Sequence, residues 1–148
     1  MEFLGNKDIL QLPKTAFLCS RSVPAEKILK TYDWAKEQRE NASCVVCGNH
    51  SPIEKDVFEI LLKGKQPIIL VLARSMKKKF FPEILKAVEN NRLLIIAPFD
   101  KNIKRITRKT AEIRNKYMIE LSDKIVVAYK TPGGQLDKLL TDVEYLDL

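Results

Sequence analysis

Hydrophobic residues along the chain gather in short, β-branched runs separated by amphipathic stretches. The runs are Thr15–Cys19, Cys44–Cys47, Pro67–Ala73, Leu93–Ala97 and Ile125–Tyr129. Most do not alternate with polar residues, which is the pattern of strands covered on both faces. Between them, apolar residues recur at helical spacing. Ala25–Asn41 carries Ile28, Leu29, Tyr32, Ala35 and Lys36 behind Pro24, a residue suited to a first helical turn. Ser51–Lys63 opens on Ser51-Pro52-Ile53-Glu54 and stops at Gly64, combining an N-cap, a proline, a Ser-x-x-Glu capping box and a glycine stop. Further helices are predicted over Pro82–Asn91, over Lys104–Leu121 with Ile106, Ile113, Tyr117, Met118 and Leu121 inward, and over Gly134–Leu140. A short strand over Val143–Leu146 follows. This alternation predicts an α/β protein, a three-layer α/β/α sandwich around a mostly parallel sheet, with residues 1–148 as a single domain.

Composition narrows the picture. Hydrophobic residues make up 45% of the 148, with only 5 glycines and 7 prolines, which excludes a disordered chain. The longest apolar run, Ile68–Ala73, is far below the roughly 18–20 residues a bilayer needs, so no membrane partner is expected. Met1–Asp8 has no signal-peptide pattern, and three cysteines fit a reducing compartment; a cytoplasmic protein is expected. The skewed quantity is charge: 26 Lys and Arg against 19 Asp and Glu give +7. Such a balance favours a polyanionic partner, nucleic acid before membrane surface.

In an open α/β sheet, ligands bind beyond the carboxyl ends of the strands, where strand order reverses. The residues following each predicted strand are Ser20-Arg21-Ser22, Gly48-Asn49-His50-Ser51, Arg74-Ser75-Met76 with Lys77-Lys78-Lys79, Pro98-Phe99-Asp100-Lys101, and Lys130-Thr131-Pro132-Gly133-Gly134. Cations, hydroxyls and glycines dominate these turns. Gly48 and Gly133-Gly134 beside helix starts, flanked by Arg21 and Arg74, describe an anion site built on backbone amides. The alternative is that Gly-Gly only makes a tight turn and Arg21 caps a helix or pairs with a carboxylate. No Gly-x-Gly-x-x-Gly follows the first strand and no P-loop is present, so no cofactor is expected.

Taken in order, Cys19-Ser20-Arg21, Cys47-Gly48-Asn49-His50 through Glu54, Arg114-Asn115 and Gly133-Gly134 resemble the Rossmann-like core of the DNA-processing protein A (DprA/Smf) family. That family sits in the wider superfamily of lysine-decarboxylase-like and cytokinin-activating proteins. Its matching stretches read roughly Gly-Ser-Arg, Ser-Gly-Leu-Ala-x-Gly-Ile-Asp, Arg-Asn-Arg and Ser-Gly. The resemblance runs from about Lys14 to Leu140. It implies single-stranded DNA binding in a basic pocket, a homodimer, and delivery of a recombinase to the strand during DNA uptake and recombination, without catalytic turnover. Carried over residue by residue, the matched positions are Arg21, Gly48 and Arg114-Asn115; with the rim residues Ser20, Asn49, His50, Arg74, Lys101, Gly133 and Gly134 they make up the candidate site for a nucleotide or DNA phosphate. Cys19, Glu54 and Lys116 stand where the family has Gly, Asp and the second Arg. The chain length matches the core alone, so a stand-alone core without helical or winged-helix additions is expected.

The cytokinin-activating relatives are phosphoribohydrolases with a Pro-Gly-Gly-x-Gly-Thr-x-x-Glu motif. Here the stretch is Pro132-Gly133-Gly134-Gln135-Leu136-Asp137-Lys138-Leu139-Leu140. Leu140 at the glutamate position can neither stabilise an oxocarbenium-like centre nor move a proton. No catalytic residue is therefore assigned. A nucleotide phosphoribohydrolase-like enzyme, with His50 and Glu54 as acid–base groups four residues apart, stays as the alternative, together with a nucleotide-sensing domain.

Lys101, Lys104, Arg105, Arg108 and Lys109 recur at helical steps and predict a basic helix face that either tracks phosphates or is simply solvated. Of Phe80, Phe81 and Phe99, the last is the favoured base-stacking candidate. Cys44 and Cys47 lie three apart in a strand and so point to opposite faces; no metal site is expected.

Overall fold

The computed structural model describes all residues, Met1–Leu148. Seven strands, β1 (Glu2–Gly5), β2 (Lys14–Leu18), β3 (Cys44–Cys47), β4 (Ile68–Val71), β5 (Leu93–Ala97), β6 (Lys124–Val127) and β7 (Leu146–Asp147), form one sheet in the order β1-β5-β4-β3-β2-β6-β7. Neighbours from β5 to β7 are parallel, and β1 lies antiparallel against β5. The helices are α1 (Ala25–Glu40), α2 (Pro52–Leu62), α3 (Pro82–Glu89), α4 (Arg108–Leu121) and α5 (Gln135–Leu139), with a 3₁₀ turn over Lys7–Gln11. This is the predicted three-layer α/β/α sandwich.

The strand period of two divides the core into two layers. Phe17, Val45, Cys47, Leu70, Ile95 and Val126 pack with Trp34 of α1, Val57, Phe58 and Leu61 of α2, and Ile84 and Ala87 of α3. Ala16, Leu18, Cys44, Val46, Val71, Ile96 and Val127 pack instead with Met118 of α4, Leu136 of α5 and Ile9 of the 3₁₀ turn. Cys44 and Cys47 thus fall in opposite layers. Strand order runs outward from β2 through β3 and β4 to β5, then returns to β6 on the other side of β2. The reversal lies between β2 and β6, and the helices change faces there.

Four expectations are corrected. Strand β1 is absent from the sequence reading, because four residues carry too little pattern; pairing with the free edge of β5 makes it a strand. The last strand is Leu146–Asp147 rather than Val143–Leu146; Val143 and Tyr145 pack on the α4 layer instead. Leu29 and Lys36 of α1 face outward, as does Ile113 of α4. Finally, α4 begins at Arg108, not Lys104. Thr107 caps it, its Oγ accepting from the Thr110 N–H at 3.1 Å while its own N–H donates to Thr110 Oγ at 2.8 Å. A Thr-x-x-Thr box lacks the usual Glu or Gln, and so leaves no strong signal in the sequence.

Candidate functional site

The carboxyl ends of β2 to β6 open on one rim, and three adjoining cavities run along it. The first, about 540 Å³ beside the β2/β6 reversal, is lined by Ser20, Arg21, His50, Arg108, Asn115 and Thr131 among others. It shares His50, Ile106 and Arg114 with a second of about 350 Å³, which also takes in Asn49, Arg74 and Phe81. The second in turn shares Arg74, Lys77 and Lys79 with a third of about 700 Å³, whose wall also holds Lys78, Lys101 and Lys104 together with Ser75, Met76 and one carboxylate, Glu2. Shared walls make these one trough along the sheet edge.

At the reversal, Ser20 ties two turns together. Its N–H donates to the Tyr129 carbonyl at 2.8 Å, and its Oγ accepts from the Thr131 N–H at 2.9 Å. Both contacts fix the turns that flank the first cavity, and they leave Arg21 exposed beside it with no carboxylate partner. Cys19 also lines this cavity, but burial pushes its pKa up to about 12 and its Sγ–H points at the Ser20 carbonyl, 3.2 Å away. It is a neutral thiol rather than a nucleophile.

Behind the trough lies a buried ion pair. The capping box read from the sequence is formed: Glu54 Oε1 accepts from the Ser51 N–H at 2.9 Å. The second oxygen, Oε2, receives Arg114 Nη2 at 2.9 Å, and the two residues are 6% and 5% exposed. Gly48 is a glycine because of this pair: a Cβ there would run into the Glu54 carboxylate and the Arg114 guanidinium. Arg114 also donates from Nε and Nη2 to Asn115 Oδ1, at 3.2 and 3.0 Å. The sequence placed Gly48, Arg114 and Asn115 together without seeing that Arg114 Nη2 is bound to Glu54. The one available signal was the capping box, which commits one Glu54 oxygen and leaves the other for a cation.

His50 precedes α2 instead of sharing its first turn with Glu54, and it lines two cavities. Burial holds its pKa below the usual 6.5; Glu54 opposes this, while Arg114, Arg21 and Lys55 add to it. A neutral imidazole surrounded by cations accepts a proton more readily once an anion arrives. As acid–base partners His50 and Glu54 fit poorly, since both Glu54 oxygens are already engaged.

The basic run is corrected in place. Lys101, Lys104 and Arg105 belong to the loop between β5 and α4, not to a helix face. The Ser75 N–H donates to the Ile103 carbonyl at 2.7 Å and ties that loop to the one after β4. Lys101 and Lys104 thereby face Lys77, Lys78 and Lys79 across the third cavity. None of these side chains, nor Arg74 or Arg108, has an acidic partner. The stacking candidate is corrected as well: Phe99 is packed away at 8% exposure, whereas Phe81 is 76% exposed beside Arg74, Lys77 and Lys79.

The expected phosphate cradle at Gly133-Gly134 is occupied by the chain itself. Gly133, at φ +71°, donates its N–H to Asp137 Oδ2 at 2.9 Å, and Gly134 donates to the Thr131 carbonyl at 2.9 Å. Lys130 Nζ meets Asp137 Oδ1 at 2.7 Å and lies over the Tyr145 ring. The contacts with Lys130 and Gly133 lower the Asp137 pKa. With both amides satisfied, this turn presents no free donor pair to an anion. Gly134 still lines the first cavity.

No family model matches the chain, and no curated protein matches it in sequence. Solved structures do. DNA processing protein A from Helicobacter pylori, a protein with a single-stranded DNA binding mode, superposes with a TM-score of 0.68 at 19% identity, over 93% of this chain and 65% of that one. DNA processing protein A from Streptococcus pneumoniae superposes at 0.70 and 19%, over 93% of this chain and 50% of that one. The molybdenum cofactor carrier protein from Chlamydomonas reinhardtii reaches 0.54 at 14% identity, over 89% and 72%. The chain thus spans between half and two thirds of the length of the two DNA processing proteins. It carries the Rossmann-like fold of DNA processing protein A.

Proposed function

We propose that this protein binds single-stranded DNA along the rim trough. The observation that carries the reading is the set of unpaired cations, Arg21, Arg74, Lys77, Lys79, Lys101, Lys104 and Arg108, lining three adjoining cavities. A phosphodiester chain neutralises such a row, and each contact releases a counterion. The exposed Phe81 offers one face on which a base stacks, a contact worth about 1–3 kcal/mol. A trough of this extent fits a strand better than a mononucleotide, because its charges are spread over the segments that follow three strands, β2, β4 and β5. The Helicobacter pylori protein of the same fold, with its single-stranded DNA binding mode, supports the same reading.

The resemblance in sequence extends the proposal to a cytoplasmic homodimer that takes part in DNA uptake or recombination and passes the strand to a recombinase. Catalysis is not part of it: Leu140 is a buried aliphatic residue, Cys19 is a neutral thiol and Glu54 is committed to Ser51 and Arg114. Fluorescence anisotropy with a labelled oligothymidylate tests the binding. Saturable binding that weakens at least fivefold in Arg21→Ala and in Lys77→Ala is expected. Equal affinity of all three proteins for the strand would contradict it.

A further inference from the structure

Arg114 reads in sequence as a cation facing a phosphate, yet the folded chain gives it other work. Its guanidinium is buried, its Nη2 is bound to Glu54, and its Nε and Nη2 hold the Asn115 carbonyl oxygen. Glu54 is itself held by the Ser51 N–H at the start of α2. The chain of contacts therefore runs from the α2 cap through Glu54 and Arg114 to a single amide. An amide has two ends. With Oδ1 held by the guanidinium, Asn115 Nδ2 is turned the other way, makes no hydrogen bond within the protein and belongs to a side chain that lines the first cavity.

We propose that Asn115 supplies the uncharged donor that contacts the ligand in the first cavity, and that Glu54 and Arg114 are positioning residues that orient it. This rests on the strand-binding reading above. The ligand group is an oxygen acceptor, either a phosphodiester oxygen or a base carbonyl. Two buried charges are costly to maintain, and here they support one rigid amide. Arg114 suits the task through its planar fork, which grips Glu54 and Asn115 at once; a lysine ammonium lacks that geometry. Gly48 belongs to the same unit, since only a residue without a Cβ leaves room for the pair.

A double-mutant cycle tests the assignment. Binding of labelled oligothymidylate by Asn115→Ala is expected to weaken about fivefold, the size of one lost hydrogen bond. Arg114→Lys should cause a similar loss alone and none in the Asn115→Ala background, while Glu54→Gln should weaken binding without changing its salt slope. Additive effects of Arg114→Lys and Asn115→Ala would overturn the positioning role and make Arg114 a ligand contact. An oligomer of abasic sites separates the two acceptors: loss of affinity in Asn115→Ala persists on it for a phosphodiester oxygen and vanishes for a base carbonyl. A separate readout needs no DNA. The Asn115 side-chain amide resonances should be displaced from random-coil positions in the wild type and collapse toward them in Glu54→Gln, whereas unmoved signals would refute the relay. Absence of strand binding by the wild type would refute the donor role and the proposed function together, with the relay still judged by those resonances.

Discussion

At the scale of single residues, the site depends on what a glycine leaves out and what a histidine declines to hold. Gly48→Ala would force a methyl group into the Glu54–Arg114 pair. Breaking a buried pair costs about 3 kcal/mol, so a fall in chemical-denaturation stability of that order is expected; an unchanged midpoint would mean that the pair yields easily. His50 works through its proton. Its folded pKa lies below the usual 6.5, so the unfolded chain binds that proton first as pH falls. The stability contributed by neutral His50 is therefore complete above about pH 6.5 and is lost as pH drops further. A bound phosphodiester reverses the preference by favouring the imidazolium. Strand affinity should thus rise between pH 8 and pH 5.5 in the wild type and rise less in His50→Gln. Identical pH profiles would remove His50 from the site.

At the scale of elements, what was legible in the sequence followed from local chemistry. Continuous β-branched runs such as Leu93–Ala97 reveal buried parallel strands, and Ser51-Pro52-Ile53-Glu54 reveals the start of α2 to the residue. The rim turns could be located because they must follow those strands. Contacts between distant parts of the chain could not be read this way. Nothing near Arg114 announces a partner 60 positions earlier, and nothing in Gly133-Gly134 announces that Asp137 and Thr131 satisfy its amides. The start of α4 was missed because periodic lysines and arginines suit a loop as readily as a helix, while a threonine pair makes an inconspicuous cap. That cap is testable. Removing an N-cap hydroxyl costs about 1 kcal/mol, so Thr107→Ala should lower the urea midpoint correspondingly. Because the same junction anchors the loop bearing Lys101 and Lys104, it should also weaken strand binding. Full stability in Thr107→Ala would show that packing alone starts the helix.

At the scale of the whole molecule, the net charge of +7 is unevenly placed. The segment Asp137–Leu148 holds four carboxylates against one lysine, and it runs past α5 to the β7 edge, away from the lysine-rich third cavity. Among the cations without acidic partners, Arg21, Arg74, Lys77, Lys78, Lys79, Lys101 and Lys104 lie on the turns after β2, β4 and β5, where the fold opens. Charge that repels itself in the free protein is relieved there by a polyanion. These cations are expected to neutralise the backbone of one strand, and the salt dependence of affinity measures that count directly. For single strands the logarithm of the association constant falls by about 0.7 per phosphate neutralised for each unit of log salt. Engagement of five cations gives a slope of about −3.5, and Lys101→Ala should make it shallower by about 0.7. A slope near zero, or one unchanged in Lys101→Ala and Lys77→Ala alike, would contradict the trough as the path of the strand.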